Sequence, residues 1–335
     1  KGLLTPSSTQ LLKLARACGI RTEYFFRTHT VELLQPEFRK LSTFGKTAQD
    51  ALKIKVVELV EKRVELLGAF PELPFPAFAP PANLPEHVTS PDEIDAFSDT
   101  VRNAWQLGLN PIADLTDTLE GLGLLVIVVD EENPGFSGLT AKARTEDGRE
   151  YPVVAVSKRW PGDRQRFTLA HELAHLWLGA SAVSDASAAP LTGYRREEVW
   201  CNAVAAELLV PLAALRPALR RDEPLDQSLA RLARQFKVST LVVLRRLLDA
   251  GALDRPAFDR AWASERARLR ELAAAGAGGG DFYRTTLSRV GRRFARALVE
   301  STLEGQTLYR DAFRMLGVSK TEAFNNIGRV VGVMG

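Results

Sequence analysis

Apolar residues return every three or four positions at Leu52, Val56, Leu59, Val60, Val64 and Leu67, with lysine and glutamate between them. That period predicts an amphipathic helix after Arg39. A shorter helical pattern, Leu11, Leu12 and Leu14 to Ala17, is opened by Thr5-Pro6-Ser7-Ser8 and closed at Gly19. Between Pro71 and Pro91 stand seven of the chain's 18 prolines, a density that no helix interior or central strand tolerates. The run reads as an ordered linker and a domain boundary.

Beyond it the pattern changes. Ser90-Pro91-Asp92-Glu93 sets a capping serine, a first-turn proline and a third-position glutamate ahead of Ile94, Phe97, Val101 and Trp105, a helix start. A second helix is expected to open at Asn110-Pro111 and run through Leu115 and Leu119 to Gly121, followed by a strand, Leu124 to Val129. Gly138 to Ala141 and Tyr151 to Ser157 are further strands, and Pro161-Gly162-Asp163 punctuates before a helix beginning near Arg164. Helices and strands mixed in this order predict an α+β domain. After Pro211 the chain is helical and rich in arginine. Leu225 to Gly251 reads as two short helices about Phe236-Lys237-Val238-Ser239, Ala273 to Gly280 as a flexible connector, and Asp281 to Gly335 as a last helical module.

Composition narrows the class without naming a function. A length of 335 residues favours two or three domains, and 45% hydrophobic with 25% charged residues excludes disordered and collagen-like chains. The 44 basic and 41 acidic residues nearly cancel, so any nucleic-acid footprint has to be local. Two cysteines, Cys18 and Cys201, are too few for an extracellular disulfide framework and suit a reducing cytoplasm. The longest aliphatic stretch, Leu124 to Val129, is far short of the ~20 residues of a membrane helix, so no membrane association is expected. Residue 1 is not methionine, and the start is expected to fall inside a longer gene product.

Two of the four histidines fall in His171-Glu172-Leu173-Ala174-His175, among good helix formers. Positions four apart share a helix face, so both imidazoles can reach one zinc ion, with Glu172 beside them where an activated water would stand. The bland alternative is a buried helix with two hydrogen-bonded histidines. A third ligand is sought in Arg195 to Glu207. Glu198 is preferred because Asn202, one turn on, can bond a ligating histidine from behind; Glu197 is the near competitor. Glu207 reads better as a partly buried structural carboxylate, and Cys201 as a packed thiol. His29 and His87 lie in or near linkers and read as surface residues. Tyr194 is one conceivable oxyanion stabiliser, and no substrate-binding residue is nominated beyond strand Tyr151 to Ser157 as an edge for an extended peptide.

The segment Arg164 to Ala170 running into HELAH, then Glu198-Val-Trp-Cys-Asn and Ala-Ala-Glu-Leu-Leu-Val-Pro211, resembles the ImmA/IrrE family of zinc metallopeptidases over about Ser90 to Pro211. The resemblance implies a zincin-like metallopeptidase domain holding Zn2+ through His171, His175 and Glu198, rather than Glu197, with Glu172 as general base. It implies hydrolysis of a peptide bond in a partner protein such as a transcriptional repressor. Gly2 to Phe26 resembles the end of a lambda-repressor-like helix-turn-helix domain, whose recognition helix would lie upstream. Leu225 to Gly251 and Arg289 to Val330 also resemble helix-turn-helix modules, of the kind that serve protein contacts. Arg220, Arg221, Arg231, Arg234, Arg245 and Arg246 are read as solvated surface. The expected division is 1–28, the remnant of a DNA-binding domain; 29–89, a connecting helix and linker; 90–212, the peptidase; and 213–272 and 281–335, helical modules. The alternative function is a DNA-binding regulator and antitoxin that neutralises a PIN-like ribonuclease toxin by binding. DNA contact through the full-length N-terminal domain, and self-association, are left open.

Overall fold

The computed structural model describes residues 5–18, 22–26, 30–40, 44–69, 75–79, 91–131, 133, 135–181, 191–274, 283, 286–287 and 290–334. The chain is mainly helical with one four-stranded sheet, an α+β fold, and divides into two compact units. Unit 1 comprises Lys1–Phe78, Thr116–Trp160 and Thr286–Gly335; unit 2 comprises Ala79–Leu115 and Pro161–Thr285. His29, His87 and the capping serine Ser90 lie outside the described residues.

Unit 1 is built on the sheet. Its strands are β1 (Val31–Lys40), β2 (Leu125–Val129), β3 (Phe136–Thr145) and β4 (Glu150–Ser157), ordered β1-β3-β4-β2, with β2 and β4 parallel and the other pairs antiparallel. β4 therefore pairs on both sides, from Val156 opposite Gly138 to Val126 opposite Val154. The strand nominated for binding an extended peptide is internal, paired with β2 from Val153 to Ser157 and with β3 on its other side, so it is not an edge strand.

β1 escaped the sequence reading because it carries Pro36 and four charged residues, Glu32, Glu37, Arg39 and Lys40. Such a strand survives only at an edge. Its register with β3 shifts between Leu34 and Glu37, where Gln35 takes φ of 46°. The helix α2 (Lys46–Ala69), read as a connector, packs Leu52, Val56 and Val60 into the sheet's apolar face with Ile127, Val129 and Val153, and Phe44 stacks on Phe136 at 5.7 Å. Three buried residues spaced four apart are the stripe the sequence announced. Before them α1 (Ser8–Cys18) is capped reciprocally, Gln10 N donating to Ser7 Oγ and Ser7 N to Gln10 Oε1.

In unit 2, α3 (Pro91–Ala104) buries Ile94, Phe97 and Val101. The helix expected from Pro111 begins later, as α4 (Leu115–Glu120), which belongs to unit 1 from Thr116 on. The intervening carbonyls are spent on long cations: Asn110 and Gly108 accept from the Arg102 guanidinium, Ile112 from Arg166 (2.8 Å) and Ala113 from Lys237 (2.8 Å). A carbonyl so engaged is not given to a first helical turn. The long helices α5 (Gly162–Ser181) and α6 (Leu191–Leu209) follow, then α7 (Leu212–Ala218), α8 (Leu225–Phe236), α9 (Thr240–Asp249) and α10 (Arg255–Ala274).

Lys237 closes α8 in the left-handed region, φ 56°, and Ser239 opens α9 by accepting from Val242 N at 3.3 Å. Arg231 is held by Glu223, Arg245 by Asp249, and buried Arg246 by Glu207 and Asp249, so these arginines do not add up to a basic face. The last three helices belong to unit 1: α11 (Arg292–Leu303), α12 (Tyr309–Leu316) and α13 (Thr321–Val330), with Gly317 at φ 67° ending α12. Among the described residues no single helix is long and apolar enough to cross a membrane.

Buried Arg63 on α2 ties these parts of unit 1 together. It pairs with Glu120, donates to the Val290 carbonyl at 3.2 Å and lies over the Phe294 ring. Burial drives its pKa well below the ordinary arginine value, and Asp117 opposes that fall. Arg63→Ala strands the buried Glu120 carboxylate and is expected to cost about 3–5 kcal/mol, read as a lower urea midpoint. The paired Arg63→Met, Glu120→Leu variant should recover most of that loss.

Candidate metal centre

α5 is enclosed on nearly every side: Gln165, Arg166 and all of Thr168 to Ala174 are buried. Phe97 of α3 meets Trp177 edge to face at 5.4 Å and Trp200 at 5.7 Å, a cluster that pins α5 and α6 to α3. Arg102, at the other end of α3, donates to the carbonyl of Leu208 near the end of α6, and burial lowers its pKa. Two rigid helices are thus fixed against each other before any polar contact between them is counted.

The polar contacts cross between them in opposite chain directions. His175 faces Glu198 and His171 faces Asn202, so α5 and α6 are antiparallel here. His175 Nε2 lies 3.0 Å from His171 Nε2 and 3.1 Å from Glu198 Oε1; His171 Nε2 lies 3.5 Å from Glu198 Oε2. Donors ~2.0–2.2 Å from a tetrahedral metal stand about 3.3–3.6 Å from one another, close to the three separations observed. Two imidazole nitrogens and one carboxylate also form the donor chemistry that suits such an ion. The group fits a metal, and among the described residues it is the one group of three or more donors that does.

Asn202 determines which nitrogen His171 presents. Its Nδ2 donates to the Glu198 carbonyl at 2.7 Å, which turns Oδ1 toward His171 Nδ1 at 3.0 Å. An acceptor there requires the proton on Nδ1 and leaves the Nε2 lone pair facing the donor group. Glu172 follows directly on α5, 2% exposed. His171 is fully buried, His175 is 16% and Glu198 27% exposed, so solvent reaches the group from the His175 end.

The competing residues are disposed differently. Glu197 points to solvent, and Cys201 is fully buried on the core side of α6. Glu207 is buried against Arg246 and accepts from Leu212 N at 3.0 Å; burial raises its carboxyl pKa, opposed by Arg246. Tyr194 sits within α6 rather than on a loop. Arg246 was misread as surface. It falls three residues after Val243 on the buried stripe of α9, and that spacing was available in the sequence.

Residues 123–248 match the family model described as the IrrE N-terminal-like domain. This segment is an ImmA/IrrE-family domain. Residues 290–329 match a domain of unknown function, DUF8813. Among curated proteins, the radiation response metalloprotease IrrE of Deinococcus deserti is 36% identical over 107 residues, covering 31% of this chain and 38% of that protein. The IrrE of Deinococcus radiodurans is 34% identical over 104 residues, 30% of this chain and 32% of that protein. The ImmA/IrrE-type match thus spans about a third of the length of these curated relatives. A solved Mycobacterium tuberculosis transcriptional regulator aligns at 16% identity over 47% of this chain and 46% of that one, with a TM-score of 0.34, too distant to carry an argument.

Asn202→Ala, which frees the His171 ring to turn, is expected to weaken metal affinity about 10- to 100-fold. Glu198→Ala should lower it further and Glu197→Ala leave it unchanged. Competition with a chromophoric chelator measures all three.

Proposed function

We propose that the chain is a zinc-dependent peptidase that hydrolyses a peptide bond in a partner protein, with His171, His175 and Glu198 holding the metal and Glu172 as the general base. The observation that supports this most directly is the convergence of three donor atoms within 4.8 Å of one another, on helices whose ring orientation Asn202 has fixed. Zinc bound there supplies Lewis acidity to a scissile carbonyl and makes a water molecule easier to deprotonate. The chain supplies the rest.

Glu172 is the carboxylate next in line to His171 and is nearly sealed from bulk water. As general base it takes a proton from the attacking water and returns it to the leaving amine. Asn202 holds the His171 tautomer through the cycle. The curated relatives are named as metalloproteases of the radiation response. A protein partner of the transcriptional repressor class is the substrate this reading favours.

Glu172→Gln keeps the size of the side chain and removes its basicity. The variant is expected to retain one zinc per chain and to lose cleavage of its partner by about 100-fold or more. Equal cleavage by variant and parent would end the assignment. The same variant separates cutting from holding: a DNA-binding or toxin partner still neutralised by it is controlled by binding alone.

A further inference from the structure

One cavity of unit 2 belongs to no role assigned so far. It holds about 350 Å³ and runs along α6, the helix that also carries Glu198. Its walls are apolar: Phe167 from α5, Ala203 from α6, Leu241 and Val242 from α9, and Trp262 from α10. Its size is near the lower end of ligand pockets, ~300–1,000 Å³, enough for one large side chain rather than a whole cofactor. The charged residues at its rim, Arg245 and Asp249, bond each other at 3.0 Å and present little net charge to an occupant.

Two observations connect the cavity with the metal centre. Asn202 lines it and also bonds His171, so one ring and one hydrogen bond separate the cavity from the donor group. Val199, next to Glu198, lines the same cavity and is 67% exposed, a large apolar residue standing where solvent would meet it. Single exposed apolar residues are common. One that lines an apolar cavity and directly follows a donor residue in the chain has a use.

We infer that this cavity is a specificity pocket, taking one large apolar side chain, of the phenylalanine or leucine class, from an extended peptide substrate near its scissile bond. The inference rests on the peptidase reading for the identity of the ligand as a substrate. The pocket gains its selectivity by removing apolar surface from water, and a polar or charged side chain there would lose its hydration without a partner. Phe258 packs against Trp262 with tilted rings at 5.3 Å and supports that wall.

The test uses the full chain carrying Glu172→Gln, loaded with zinc and offered a positional-scanning library of unstructured peptides. Retained sequences are read by mass spectrometry. One position is expected to be enriched about tenfold or more in Phe, Leu or Met over Ala. Ala203→Trp, which fills the cavity, should abolish the enrichment at undiminished zinc content. Trp262→Ala removes a wall without touching α5 or α6 and should weaken the same enrichment, which covers the case in which Ala203→Trp fails to fold. No retention, retention without apolar preference, or a preference unaltered by the variants that fold overturns the pocket. Cleavage by the unmodified chain without such a preference overturns the pocket and leaves the peptidase reading standing. Pocket-dependent retention of peptides that the unmodified chain never cuts overturns the peptidase reading and leaves the pocket.

Discussion

The Asn202 side chain is the contact on which the arrangement of the metal centre depends. One amide spans two helices, giving its hydrogens to the backbone of its own helix and its oxygen to His171 of the other. Because the two ends of the amide are chemically different, a bond at one end dictates what the other end offers. A slip of α5 against α6 by one helical turn, ~5.4 Å, would take His171 off Asn202 and His175 off Glu198 together. The donor group is therefore a readout of helix register.

That register is bought with apolar packing and with buried cations. The Phe97, Trp177 and Trp200 cluster supplies bulk, while Arg102 fixes the end of α6 through the Leu208 carbonyl and Arg246 fixes it through Glu207. Burying guanidinium groups is costly, and apolar substitutes often stabilise a fold as well or better. What an apolar residue cannot do is bond several carbonyls at once. Arg102 joins the neighbouring carbonyls of Gly108 and Asn110 to the distant one of Leu208, and so specifies one relative position of these segments. Arg63 performs the same service in unit 1 for Glu120 and Val290.

The same division explains how much could be read from sequence. Local chemistry was legible: the spacing of His171 and His175, the stripe of α2, and the break between α8 and α9 all follow from neighbours within a few residues. The choice of Glu198 over Glu197 rested on Asn202, an i, i+4 relation on one helix. What escaped was set by distant partners. β1 looks unlike a strand because its proline and charges are acceptable only at an edge, and the edge exists only once β3 lies beside it. The start of α4 depends on Arg102, Arg166 and Lys237 reaching back to carbonyls that otherwise belong to a helix. β4 reads as a plain strand whether it is internal or at an edge.

α5, which carries two of the three candidate donors, has a weak periodic signature for a physical reason. A helix with one wet face alternates apolar and polar residues at its own period, and that alternation is what a reader detects. Thr168 to Ala174 are buried all the way round, so no face of this stretch is left to be polar for solvent's sake. Of the polar residues that remain, Thr168, His171 and Glu172, His171 has its partner inside the protein in Asn202. In a stretch buried on all sides, the residues that break the apolar pattern are those whose presence packing does not explain. The motif His171-Glu172-Leu173-Ala174-His175 draws its force from this setting, since the same letters on a wet helix face would need no explanation.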